Sequence, residues 1–152
     1  MQSELDDLYQ QVILDHNKNP RNFGPLEPHS HFAKGHNPLC GDKIDVYLEV
    51  KDSVIQGVSF DGSGCAISKA SASIMTTLLK GKNILEAKEL FEIFHHVVTC
   101  STDEEIDLEA LGKLAVFAGV REFPARVKCA SLAWHTMTTA LDSPELNVVS
   151  TE

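Results

Sequence analysis

Ile44-Asp45-Val46-Tyr47-Leu48-Glu49-Val50-Lys51-Asp52-Ser53-Val54-Ile55-Gln56-Gly57-Val58-Ser59-Phe60 is the stretch that decides the fold. Ile44, Val46, Leu48 and Val50 alternate with Asp45, Tyr47, Glu49 and Lys51, which is the two-residue period of a strand with one buried face. Asp52-Ser53 supplies a short turn, and a second apolar run starts at Val54, so the segment reads as a hairpin. Upstream, Leu5, Leu8, Tyr9, Val12, Ile13 and His16 recur at helical spacing, which predicts a helix over 3–18 stopped by Asn19-Pro20. The segment 21–37 reads as loop with one strand around 31–35.

Downstream the period changes. Ile67, Ala70, Ile74 and Leu78 form one helical stripe after Cys65, and Gly81 provides the stop. Asn83 and Glu86 make a capping-box start for a helix reaching about 98, and Thr102 with Glu105 predicts an acidic helix through about 120. Pro124 opens the last helix, in which Val127, Ala130, Trp134, Met137 and Leu141 step by three and four residues. Strands followed by helices argue for an α+β layer, a small antiparallel sheet of about three strands packed on one face by about five helices. Its length of 152 residues fits one domain spanning 1–152.

Composition excludes several classes. With 13 Lys and Arg against 22 Asp and Glu, the net charge of -9 repels phosphate backbones, so nucleic acid is not an expected partner. The first residues carry no apolar export segment and no apolar run is long enough to span a bilayer, so a cytoplasmic location without membrane contact is expected. In such a compartment thiols stay reduced, and four cysteines are then read as metal ligands or nucleophiles in preference to disulfides.

Three of the four sit in telling contexts. Cys40 lies in Asn37-Pro38-Leu39-Cys40-Gly41-Asp42, Cys65 closes Gly62-Ser63-Gly64-Cys65 just before a helix, and Cys129 follows Arg126 and Lys128 early in another. Glycine lets backbone approach a metal closely, and helix N-termini favour thiolate over thiol. No C-x-x-C pair is present, so any shared site is assembled by tertiary folding. Cys100, in Val98-Thr99-Cys100-Ser101, reads as a small core residue. His16 reads as a satisfied core or boundary histidine and His36 as surface, while the adjacent His95 and His96 point about 100° apart and do not readily share one ion.

The runs Asp15-His16-x-x-Asn19-Pro20-Arg21-Asn22, Asn37-Pro38-x-Cys40-Gly41-Asp42, Gly62-x-Gly64-Cys65-x-Ile67-Ser68-x-Ala70-Ser71 and Phe123-Pro124-x-Arg126-x-Lys128-Cys129 together resemble the IscU-type iron–sulfur cluster assembly family over nearly the whole chain. Two details look like its SufU branch of zinc-dependent sulfurtransferases: Lys128 stands where IscU scaffolds carry a histidine ligand, and several helical turns separate Gly81 from Phe123. The Leu-Pro-Pro-Val-Lys chaperone motif of the scaffolds is replaced by Phe123-Pro124-Ala125-Arg126-Val127-Lys128. The resemblance implies Zn2+ held by Cys40, Asp42, Cys65 and Cys129, with Cys40 as sulfur acceptor. It further implies a SufS-like cysteine desulfurase that displaces Cys40 from the metal with a residue of its own, and downstream iron–sulfur scaffold proteins as recipients. Arg126, at i-3 from Cys129 on the same helix face, is a candidate for stabilising the thiolate or an incoming anionic sulfur. A [2Fe–2S] cluster on the same four ligands, which would make the chain an assembly scaffold, and a structural zinc interaction module are the alternatives.

Overall fold

The computed structural model describes residues 2–38, 40–142 and 148–150, with side chains described for 7–38 and 40–142, so the expected place of Leu5 in the first helical stripe lies outside the described residues. Helix α1 is Gln2–Lys18, strand β1 His31–Asn37, β2 Asp42–Lys51 and β3 Val54–Ser63. Helix α2 is Ala66–Leu79, α3 Ile84–Thr99, α4 Leu108–Leu111 and α5 Pro124–Asp142, with a 3-10 helix Gly112–Glu122 before α5 and a short strand β4 Val148–Ser150 after it.

The alternating hairpin forms β2 and β3, which pair antiparallel from Lys43↔Ser63 to Lys51↔Val54 with one irregularity between Glu49 and Val50. Asp52 and Ser53 take positive φ angles of 53° and 64°, the backbone of a two-residue turn whose twist matches that of the strands. β1 pairs antiparallel with β2 from His31↔Leu48 to Asn37↔Asp42, so that only residues 38–41 connect the two strands. β4 adds a parallel edge to β1, giving the order β3-β2-β1-β4, an addition to the three antiparallel strands expected from sequence.

Helices α2 and α5 pack on the sheet and on each other, because their small and apolar residues face inward: Ala70, Ala72, Ile74 and Met75 of α2, and Ala130, Leu132, Trp134 and Met137 of α5, are all buried. Trp134 stacks on Phe94 of α3 at 4.6 Å between ring centroids, Phe94 meets Phe117 edge-on at 5.3 Å, and the Trp134 indole N–H donates to Ser71 Oγ at 3.1 Å. The capping box expected at Asn83 and Glu86 forms, with both reciprocal hydrogen bonds present. His16 is buried and bonds through Nδ1 to Ser73 Oγ at 2.7 Å, the satisfied histidine expected.

The expected helix from Thr102 to about 120 is corrected. Residues 101–107 form turns and α4 begins only at Leu108, capped by the Asp107 carboxylate, which accepts from the Ala110 N–H at 3.3 Å. Gly112, at φ 58°, ends α4, and the following turns tighten into the 3-10 helix. Asp107 is a better cap than Thr102 because its carboxylate meets the unpaired N–H groups and the helix dipole together. Cys100 is also corrected: it is the C-terminal cap of α3 and only half-buried.

Phe94→Ala is expected to cost about 3–5 kcal/mol, because it removes a fully buried ring from between Trp134 and Phe117; urea denaturation should show a lower midpoint with an unchanged slope. Burial holds His16 and His135 below the ordinary histidine range, with the Arg21 charge adding to the effect at His16 and the His95 charge at His135. The unfolded chain therefore takes up protons first, and stability present above about pH 6.5 is lost as pH falls through that range. The melting temperature should fall over that interval, and fall less in a His16→Gln, His135→Gln double variant.

Candidate metal centre

The site forms where the β1–β2 connection, the end of β3 and the starts of α2 and α5 meet. Gly41, at φ 71° with open space where a Cβ would stand, turns the connection so that the residues on either side of it, Cys40 and Asp42, reach one point. Cys40 is exposed, whereas Asp42 opens β2 fully buried. Ligand atoms of Cys40, Asp42 and Cys129 lie within 4.8 Å of one another. Cys129 Sγ is 3.4 Å from Cys40 Sγ, and Cys65 Sγ is 3.9 Å from Asp42 Oδ2. Cys40, Asp42 and Cys129 thus form one cluster of donor atoms, and Cys65 stands beside it with its sulfur against the Asp42 carboxylate.

A buried carboxylate needs partners. Asp42 Oδ1 accepts the backbone N–H of Cys65 at 2.9 Å, which ties the first residue of β2 to the residue that caps α2. Cys65 Sγ in turn accepts the Ser68 N–H at 3.4 Å, so its sulfur sits against the positive end of the helix dipole. Gly64 permits this closeness: a Cβ there would stand 2.6 Å from Asp42 Oδ1 and 2.5 Å from Ser68 Oγ.

Cys129 departs from the expectation of a thiol eased toward thiolate by a helix N-terminus. It is the sixth residue of α5 and buried, and burial, then the neighbouring Cys40 and Cys65 sulfurs, push its thiol well above the ordinary range. Its sulfur receives one N–H from Asn37 Nδ2 at 3.7 Å. A cation among these donors would reverse the preference, since a coordinating thiol is deprotonated outright. Three sulfurs and one carboxylate oxygen, drawn from three separate backbone segments, are a donor set suited to a tetrahedral ion such as Zn2+.

Arg126 is exposed near the start of α5, its guanidinium 4.4 Å above the ring of Phe123, which is itself 46% exposed. Together with Tyr9, Ile13 and Ile67 these two side chains line a cleft of about 320 Å³ beside α2 and α5. Sequence reasoning gave no role to Asn37 or Ser68, and to Gly64 only the general closeness that glycine allows, not its passage beside the Asp42 carboxylate. Their signal was adjacency, since each lies within three residues of a predicted ligand in the Asn-Pro-x-Cys-Gly-Asp and Gly-x-Gly-Cys-x-Ile-Ser runs. His36 is half-buried in β1, and the structure assigns it no place among the four donors.

Residues 8–130 match the family described as the NifU-like N terminal domain. The chain is 41% identical to the zinc-dependent sulfurtransferase SufU of Bacillus subtilis, over 94% of this chain and 95% of that protein. It is 37% identical to the iron–sulfur cluster assembly scaffold protein IscU of Streptococcus pyogenes, over 91% of this chain and 86% of the relative. A solved structure from Fervidobacterium islandicum, described as an iron–sulfur cluster assembly scaffold protein for the SUF system, superposes with a TM-score of 0.78 at 34% identity, covering 86% of this chain and 94% of that one.

Gly64→Ala is expected to weaken Zn2+ binding at least tenfold, about 1.4 kcal/mol, by forcing Asp42 away from the Cys65 N–H. Competition against a chromophoric chelator measures this, with circular dichroism as the check that the helices remain.

Proposed function

Because this chain belongs to the NifU-like N-terminal domain family, we propose that it is a zinc-dependent sulfurtransferase, which accepts persulfide sulfur from a cysteine desulfurase and delivers it for iron–sulfur cluster assembly. The observation that carries the reading is the contrast within the donor set: Asp42 and Cys129 are buried and Cys65 half-buried, whereas Cys40 alone among the four is exposed. A purely structural metal site has no need of one solvent-facing sulfur on a glycine turn. A sulfur-transfer site needs it, because the sulfur must reach a group on another protein.

Cys40, Asp42, Cys65 and Cys129 would hold Zn2+, which when bound keeps its sulfur ligands as thiolates. The remaining chemistry belongs to the chain. The Cys40 thiolate attacks the outer sulfur of the partner's persulfide. One S–S bond forms between Cys40 Sγ and that sulfur, the S–S bond within the partner breaks, and the partner's cysteine leaves as a thiolate. The transfer is balanced, with no outside oxidant or reductant. Gly41 gives the loop its freedom to present the sulfur, since nothing stands within 4 Å of its missing side chain. Arg126, exposed three residues before Cys129 on α5, is the side chain offered to meet an anionic sulfur species with a positive charge. Asn37 donates to Cys129 and Ser68 to Cys65, so the deeper sulfurs are positioned while Cys40 is the one left to react.

Cys40→Ala should keep weakened zinc binding on three ligands and lose sulfur acceptance altogether. Asp42→Ala keeps the nucleophile, and its transfer should fall in proportion to lost zinc. Incubation with a cysteine desulfurase and cysteine, followed by mass spectrometry with peptide mapping, should place the persulfide on Cys40. Labelling on Cys65 or Cys129, with normal labelling in Cys40→Ala, would show the wrong nucleophile. Iron with visible absorption in the protein as isolated would replace this reading with that of a cluster scaffold.

A further inference from the structure

At the opposite end of α3 from its capping box, His96, Cys100 and Glu104 bring a nitrogen, a sulfur and an oxygen within 4.8 Å of one another. We propose that these three side chains form a second metal site, independent of the first and selective for a zinc-class divalent ion. Cys100 caps α3 four residues after His96, and the two side chains come to the same side of the helix end. Two ligands at this spacing on one helix face are a recurrent way of holding zinc. Glu104 returns from the following turn, its Oε2 2.5 Å from His96 Nε2. Tetrahedral ligands at ordinary zinc bond lengths stand about 3.3–3.8 Å apart, so the three atoms need only small adjustments to surround an ion.

Two independent features favour a cation there. The last carbonyls of α3 carry the negative end of the helix dipole. Glu92, Glu105 and Asp107 line the same hollow as His96 and Glu104, adding negative charge around it. Arg121 organises the cluster. Its Nη1 donates to the carbonyls of Ser101 and Glu104 at 3.1 and 2.9 Å and its Nη2 to that of Thr102 at 3.3 Å, folding residues 101–104 back toward the helix. The same Nη1 donates to Cys100 Sγ at 3.1 Å, the kind of outer contact that orients a ligating atom. The donor set decides the class of ion: imidazole and sulfur disfavour Ca2+ and Mg2+ and suit Zn2+ or Co2+. Three protein ligands leave the fourth position to water or to a group of a partner.

The full-length chain, first given one equivalent of Zn2+, is titrated with Co2+. The expected result is a sulfur-to-cobalt charge-transfer band in the near ultraviolet that saturates at one further equivalent. Cys100→Ser and His96→Ala should abolish it, and Glu104→Gln should weaken Co2+ binding at least tenfold. His96 is exposed, so its replacement tests the site without threatening the fold, and persulfide formation at Cys40 should be retained in all three variants. Absence of the band in the wild type, or an unchanged titration in Cys100→Ser, would overturn the proposal. A band that depends on Cys100 in a chain that fails to accept sulfur would sink the proposed function and leave the second site standing.

Discussion

The hydrogen bond from the Cys65 backbone N–H to the buried carboxylate of Asp42 joins two parts of the molecule that sequence separates by 23 residues. An ionisable side chain with no exposure is costly unless its oxygens are occupied, and one of those oxygens is occupied by the first residue of a helix arrangement. The start of the central strand β2 and the start of α2 are thereby held at one distance. Everything at the site is measured from that link: Gly64 is small because the carboxylate passes beside it, Cys65 faces Asp42 because its N–H does, and Cys40 lies two residues before the same anchor.

Behind the anchor stands a rigid wall. α5 packs on β1 and β2 while carrying Cys129 near its start, so the depth of that sulfur is set by the burial of Ala130, Trp134 and Met137 further along the helix. The aromatic cluster of Trp134, Phe94 and Phe117 links α5 to α3 and the 3-10 helix. Close-packed interiors resist compression, so the buried Cys129 sulfur is backed by a firm wall, whereas the Cys40 sulfur stands exposed on its loop. One buried sulfur and one exposed sulfur is the division of labour on which the proposed transfer reading rests.

Much of this was legible because local patterns and tertiary demands agreed. The alternation from Ile44 to Lys51, the capping box at Asn83 and Glu86, and the three-four stepping of Trp134 and its neighbours each state in sequence what the packing also needs. The four candidate ligands could be named from local context and family resemblance; the structure clusters Cys40, Asp42 and Cys129 and sets Cys65 against Asp42. Three things could not be read. Thr102 and Asp107 are both plausible caps, and only the positive φ of Gly112 and the turns of 101–107 show which is used. The state of the Cys129 thiol depends on burial among sulfurs from two other segments, which overrides the helix-start argument. Cys100 reads as core because free cysteine is among the most buried residue types, yet the helix ends on it and leaves its sulfur facing Arg121.

The small strand β4 and the residues around Phe23 give the sheet a further property. β1 would otherwise present a full row of unpaired backbone groups on its outer side, and three residues of β4 occupy part of that row at Lys34, Gly35 and His36. On the other side, the Gly24 N–H bonds to the Phe60 carbonyl at 2.7 Å and the Phe60 N–H to the Asn22 carbonyl at 3.1 Å, so β3 is partly covered as well. Short covering segments of this kind block the strand-to-strand templating by which exposed sheets aggregate. Contact with other proteins is thereby directed to loops and helix ends, where side chains and not backbone ladders decide which partner is held and for how long.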